Sequence, residues 1–178
     1  MRFVILLSLI GALAACNRSS SDSTDNTPPP PTEPELDGEI VPIDELPERD
    51  ALADAPRELD VDGVLLQADQ FLSRDFFPPV PPEGRPLRIY GGIQAQSDEI
   101  IPSGLMAVEI YVLHEGEAWI VEPDPDMSGR EDPSIIFTGA KNGPFWGPDV
   151  FVDIVTRLEF DGTLLWLAAR DVLISSTH

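Results

Sequence analysis

The dipeptide Asp161-Gly162 constrains this chain more than any other feature. It stands between two runs that alternate apolar and polar residues, Val150 to Phe160 and Thr163 to Ile174. An Asp-Gly pair accepts the positive φ angles of a type I′ turn, the connection that folds one strand back on the next with a two-residue loop. Such a loop pairs Phe160 with Thr163 and sets every pair behind it. Leu158 then faces Leu165, Arg157 faces Trp166, Ile154 faces Ala169 and Asp153 faces Arg170. An apolar pair, a cation–π pair and an ion pair all fall opposite one another. Successive side chains point to opposite faces, so a slip of one residue would lose all three. One residue does not fit. Asp171 falls opposite Val152 on the apolar face, which predicts a bulge or a strand end there.

Other segments carry the same period. Leu87, Ile89, Gly91, Ile93 and Ala95 alternate with Arg88, Tyr90, Gly92, Gln94 and Gln96, the mark of a half-buried strand. Val108, Ile110 and Val112 repeat the pattern; Glu115-Gly116 interrupts it, and Ala118 to Val121 returns as the second arm of a hairpin. Ile135 to Thr138 is a further short strand. Gly63 to Phe71 is a first one, although Leu65-Leu66 and Phe71-Leu72 also suit a turn of helix. Phe76-Phe77-Pro78-Pro79-Val80-Pro81-Pro82 suits neither helix nor central strand. Several short strands, many Gly and Pro turns and little helix predict an all-β fold, an antiparallel β-sandwich. Asp161-Gly162-Thr163 through Ala169-Arg170-Asp171 resembles the late strands of bacterial immunoglobulin-like modules, which implies an immunoglobulin-like sandwich. The cysteine pair and tryptophan spacing of antibody domains are absent from the sequence.

The N-terminus is organised differently. Met1-Arg2 is a short basic start, and Phe3 to Ala15 is apolar apart from Ser8 and Gly11, as in a secretory signal. A run of thirteen residues falls short of the roughly 20 that a permanent membrane helix needs. Leu13-Ala14-Ala15-Cys16 resembles the lipobox of bacterial lipoproteins. That resemblance implies cleavage before Cys16 and acylation of its sulfur and new amino group. An ordinary signal cut near Ala12, Ala14 or Ala15 is the alternative. Cys16 is the sole cysteine, and acylation would account for an unpaired thiol in an exported chain. Asn17 follows where an Asp would favour the inner membrane in the enterobacterial version of the class, so the outer membrane is expected. The domains expected are a signal over residues 1–15, a lipidated cysteine and disordered linker over 16–57, and a sandwich over 58–178. Residues 17–62 hold 14 acidic and three basic residues, a proline run at 28–31 and few large apolar side chains. Such composition does not offset the entropy of ordering. Residues 45–57 suit a short helix limited by Pro47 and Pro56.

Charge narrows the partners. The chain carries 32 acidic and 11 basic residues, for a net charge of −21. Nucleic acid and anionic lipid headgroups are repelled by such a field. With no polybasic patch, membrane attachment falls to acyl chains on Cys16, at about 0.8 kcal/mol for each buried methylene. The basic residues are ten arginines and one lysine, Lys141, which reads as compositional bias.

Three sets of residues are candidates for chemistry. Asp124, Asp126, Ser128, Arg130 through its carbonyl, and Asp132 resemble the calcium loops of integrin-type propellers and, more loosely, of EF-hands. Alternate oxygens aim inward while Gly129 permits the turn. Position 12 is Ile135 where an EF-hand has a bidentate Glu, and no helix flanks the loop. The alternative is a solvated acidic loop. A second acidic cluster, Glu58, Asp60 and Asp62 before Gly63, reads instead as the acidic end of the linker. Gly143-Pro144-Phe145-Trp146-Gly147-Pro148 sets two aromatics between Gly-Pro pairs. Phe145 and Trp146 are the partner-binding candidates; the alternative is that Trp146 folds back to plug the sandwich end. Phe76-Phe77 is expected to cover the opposite end, and Trp119 to lie in the core or on a sheet surface. Enzyme constellations are poor. His114 and His178 are the only histidines, no Gly-x-Ser-x-Gly elbow exists, and Glu115 and Glu117 read as hairpin-end acids. The expected function is a non-catalytic, lipid-anchored envelope module that binds an envelope protein or glycan. Its alternatives are a calcium-stabilised surface module and a small hydrolase or enzyme inhibitor. No cofactor beyond calcium is implied.

Overall fold

In the computed structural model, which describes residues 35–127 and 132–178, the terminal hairpin forms in the register that its turn dictates. Cys16 and its signal, the proline run at 28–31, Ser128 and Arg130 lie outside the described residues. The hairpin strands are Phe151–Phe160 and Thr163–Thr177. Phe160 pairs Thr163, Leu158 pairs Leu165, Arg157 pairs Trp166 and Ile154 pairs Ala169. The guanidinium of Arg157 lies 5.9 Å from the centre of the Trp166 ring.

A bulge sits where Asp171 failed to fit. The register shifts between Val152 and Ile154, so that Val152 pairs Val172. Asp171 takes a φ of 58°. Its amide donates to Asp153 Oδ1 at 3.0 Å, and Arg170 donates to Asp153 Oδ2 at 3.1 Å. The extra residue reverses the parity of the strand. Before it Leu165, Leu167 and Ala169 face inward; after it Val172 and Ile174 do, and Asp171 and Leu173 are exposed.

The other strands, in chain order with the hairpin as β8 and β9, are β1 Glu39–Pro42, β2 Glu58–Val61, β3 Val64–Asp75, β4 Arg88–Ala95, β5 Met106–His114, β6 Glu117–Val121 and β7 Ile135–Phe137. They follow one hydrogen-bonded path, β1-β6-β5-β8-β9-β3-β4-β7, with β2 beside β3. The all-β expectation holds. The path folds into two facing layers, because Leu72, Leu87 and Ile89 of the β3–β4 side pack against Ile110, Val112, Trp119 and Ile154 of the β5–β6–β8 side. Strand β9 belongs to both layers. It runs antiparallel to β8, then its end from Ile174 to Thr177 lies parallel to Leu72–Asp75 of β3. An antiparallel sheet throughout was expected; this pair is parallel because a chain that leaves one layer and enters the other reaches β3 with its direction unchanged. Immunoglobulin sandwiches keep two separate antiparallel sheets, so the likeness to them rests on the hairpin sequence alone.

Between the layers lie two buried apolar clusters. Leu72, Ile110, Trp119 and Ile154 belong to one, and Leu66, Ile93, Leu158 and Leu167 to the other. Gln70 and Thr156 are inward residues buried among them. The Gln70 amide donates to Thr138 Oγ1 at 2.6 Å and to Thr156 Oγ1 at 3.1 Å. A buried amide without partners would cost several kcal/mol; here its donors are met from the facing layer and from the loop after β7.

Residues 35–57 correct the expected boundary at 58, because they are part of the fold and not of a linker. Strand β1 pairs with β6, and the helix α1, Arg49–Asp54, lies between Pro47 and Pro56. Leu46, Leu52 and Ala55 are buried against Tyr111, Ala118, Val155 and Ala168 on the outer face of the β5–β8 layer. Arg170 holds this segment down, donating Nη2 to the carbonyls of Leu52 at 2.7 Å and of Ala53 and Ala55 at 3.2 Å each. Ala168 N donates to Pro56 O at 2.8 Å. Averaged composition hid this segment, since Val41, Ile43, Leu46, Leu52 and Ala55 are placed against a sheet face that needs covering. Leu52→Ala is therefore expected to lower unfolding free energy by about 2–4 kcal/mol in urea titration. A chain beginning at residue 58 is expected to unfold at much lower urea than the full chain. Unchanged midpoints for both would mean that the segment is not packed.

Candidate functional site

The two Pro-rich loops meet at one end of the layers, and a buried arginine joins them. Alternation along β3 puts Leu66, Ala68, Gln70, Leu72 and Arg74 on its inward face. Arg74 is 4% exposed and meets main-chain carbonyls instead of a carboxylate. Nε donates to Arg85 O at 3.1 Å, and Nη1 donates to Phe145 O at 3.1 Å and Gly147 O at 2.7 Å. Nη2 donates to Glu83 O. The guanidinium lies 5.1 Å from the Phe76 ring centre and 5.0 Å from that of Phe145. Burial pushes its pKa below the ordinary value, although a guanidinium stays charged at any accessible pH. Phe76 was expected at the far end of the sandwich. It lies instead at the same end as Phe145, because both loops close over one cation.

The loop from 143 to 148 divides its aromatics between two uses. Trp146 packs against the core cluster and stands 5.2 Å from the His114 ring. This is the plugging arrangement, and it leaves His114 beside an indole. Phe145 is 51% exposed and gives one face to Arg74. Trp119 is wholly buried and donates from its ring nitrogen to Asp37 O at 2.7 Å. Gly143 lies flat on it: a Cβ there would stand 2.5 Å from the indole, so only glycine fits. Glu115 starts the β5–β6 turn with a φ of 47°, and Glu117 begins β6.

Asp124 and Asp132 of the acidic loop are engaged by neighbouring groups of the fold. Asp124 Oδ2 pairs with Lys141 Nζ at 2.7 Å, and its Oδ1 accepts from the Asp126 amide at 2.9 Å. Asp132 Oδ1 accepts from Ser134 N at 2.9 Å and Ser134 Oγ at 2.6 Å. Among the described residues no three acidic or histidine side chains converge as metal ligands do. A calcium ion sharing Asp124 would have to displace the one lysine of the chain. Asp60, in the second acidic cluster, accepts from Gly63 N at 3.0 Å and so caps the β2–β3 turn.

Compared with protein-family models, curated proteins and solved structures, the chain has no match. Sequence reasoning missed Arg74 and Gln70 as structural centres. The parity of β3 carries the signal: a strand whose inward positions read Leu, Ala, Gln, Leu, Arg puts an amide and a cation in the core.

Two outcomes follow. Arg74→Leu keeps bulk but leaves the carbonyls of Phe145, Gly147 and Arg85 unpartnered. It is expected to cost about 3 kcal/mol or more in urea unfolding, and Arg74→Lys to recover only part, since an ammonium cannot span the fork. The second concerns pH. The Lys141 ammonium and then the Asp126 amide hold the Asp124 carboxyl below its ordinary 3.8. The hydroxyl and amide of Ser134 do the same for Asp132. A folded pKa below the unfolded one stabilises the protein above the unfolded value, and that stabilisation is lost as pH falls through the folded value. Melting temperature is expected to drop below about pH 3.8 less steeply in Asp124→Asn than in wild type; parallel curves would remove the carboxylate from the account.

Proposed function

We propose that this chain is a lipid-anchored, non-catalytic binding module of the bacterial cell envelope. Acylation at Cys16 holds it on a membrane, the outer one on the strength of Asn17, and the folded part engages an envelope component. The observation that carries the reading is the Arg74 clasp. It fixes two proline-rich loops and leaves Phe145 51% and Phe77 62% exposed at one end of the fold. Aromatic rings held in place before binding lose little entropy on contact, and this is how rigid anchors concentrate affinity. The field of a −21 chain keeps anionic surfaces away, so the partner is neutral or basic. His114 packed against Trp146 supports a structural use for that histidine and not a general base.

Fractionation tests the anchor. Cys16→Ser is expected to move the protein from the membrane pellet to the soluble fraction, and retention of the variant in the pellet would refute acyl anchoring. A photo-crosslinking amino acid at position 145 tests the binding end in living cells. A discrete adduct that disappears when Arg74 is also replaced by Leu supports the reading; absence of any adduct counts against it.

A further inference from the structure

The two layers treat their outer faces differently. Residues 41–56 cover the outer face of the β5–β8 layer. On the outer face of β3 and β4, Phe71 is 54% exposed. Register places Phe71 opposite Tyr90, and Ser73 opposite Arg88. The Phe71 and Tyr90 rings stack with centres 5.2 Å apart and planes 15° from parallel. Further along β3 come Asp75, which pairs with Thr177 of β9, and then Phe77. Together these residues line an open depression of about 470 Å³. Its two ends are aromatic, with Phe77 at one and the Phe71–Tyr90 pair at the other. Between them lie the polar residues Ser73, Arg88, Asp75 and Thr177.

From this arrangement we infer a binding site for a neutral saccharide ring. The inference rests on the binding-module reading and names the ligand class for it. A pyranose is apolar on its two C–H faces and polar around its equator. Aromatic ends and a polar middle match that division, whereas an acyl chain would find a polar floor in the way. Charge favours a neutral ligand over an anion. Asp75 and the net charge of −21 repel an anion, while Arg88 in the same lining offsets the attraction for a cation. Arg88 supplies N–H donors, the Ser73 hydroxyl donates or accepts, and Asp75 and the Thr177 hydroxyl, whose proton points to Asp75, accept, the set that sugar hydroxyls require.

The site is also held in shape. Asp75 Oδ1 accepts from the Phe77 amide at 2.8 Å and from the Thr177 hydroxyl at 3.3 Å, and Asp75 Oδ2 pairs with Arg85 at 3.4 Å. Phe77 is thereby fixed to the end of β3 next to the Arg74 clasp. The neighbouring Gly92 faces the same side. A Cβ on it would meet Ile136 O at 2.2 Å, so β4 and β7 approach closely there and no side chain rises between Tyr90 and Phe137.

Calorimetric titration of the full-length protein in detergent with chitohexaose, cellohexaose and mannohexaose, and with polygalacturonate as the anionic control, tests the assignment. At least one neutral probe is expected to bind. Phe71→Ala and Tyr90→Ala are each expected to weaken it about tenfold or more, and Leu164→Ala, an exposed apolar residue at the tip of the terminal hairpin, to leave it unchanged. Phe71 is 54% exposed and Tyr90 half-buried on the outer face, so melting temperatures should stay near wild type; if either falls, Phe77→Ala in the loop takes its place. The inference is overturned by three results: no neutral probe bound at about 10 mM, preference for polygalacturonate, or affinity indifferent to these substitutions. An adduct at position 145 alongside any of these would overturn the saccharide site while leaving the binding module standing. Loss of both would overturn both.

Discussion

Strand β9 works as two strands because one residue is inserted in it. Without the bulge at Arg170-Asp171, the alternation that buries Leu165, Leu167 and Ala169 would carry Asp171 and Leu173 into the core and turn Val172 and Ile174 to solvent. With it, both halves bury apolar residues, and the second half goes on to meet β3. The two layers thus share one backbone and cannot separate without breaking it. The tight turn at Asp161-Gly162 sets the register up to the bulge, and the bulge sets it beyond. Asp153 stabilises the irregularity by accepting from both Arg170 and Asp171.

Two arginines then attach the irregular parts of the chain to this frame. Arg170 gathers the carbonyls at the end of α1, and Arg74 gathers those of the two proline-rich loops. A helix end and a non-repetitive loop share one problem, which is carbonyl oxygens without partners. A guanidinium offers five donors in a rigid fork and meets several at once. That work differs from an ion pair. In Arg74 the compensation for burying charge comes from oriented peptide dipoles and two ring faces, so the clasp is directional and holds the loops in one arrangement. The exposed rings of Phe145 and Phe77 inherit that order.

Much of this frame was legible in the sequence because it depends on local pattern. Alternation located β4, β5 and the hairpins, and even the misfit of Asp171 was informative, since a charged residue on an apolar face required an interruption. What escaped was decided by pairing between distant segments. Residues 35–57 look like a linker when their composition is averaged, yet Leu46 and Leu52 are placed to cover Tyr111 and Val155, residues found only once the sheet is assembled. Lys141 looks like a bias in base usage until the fold sets it against Asp124. Phe76 and Phe145 are far apart in the chain and meet over a cation that neither local sequence announces. The depression between Phe71 and Phe77 is of the same kind, because its polar floor comes from three strands.

The path of strands ends on both sides in very short segments. Strand β1 has four residues and closes with Pro42, and β7 has three and follows Pro133. Open strand edges invite neighbouring copies to add on, and brevity and proline blunt that tendency. Under the proposed acyl anchor at Cys16, copies would be crowded in two dimensions, at local densities far above those in solution. Blunt edges would let many copies stand shoulder to shoulder there without knitting into a continuous sheet.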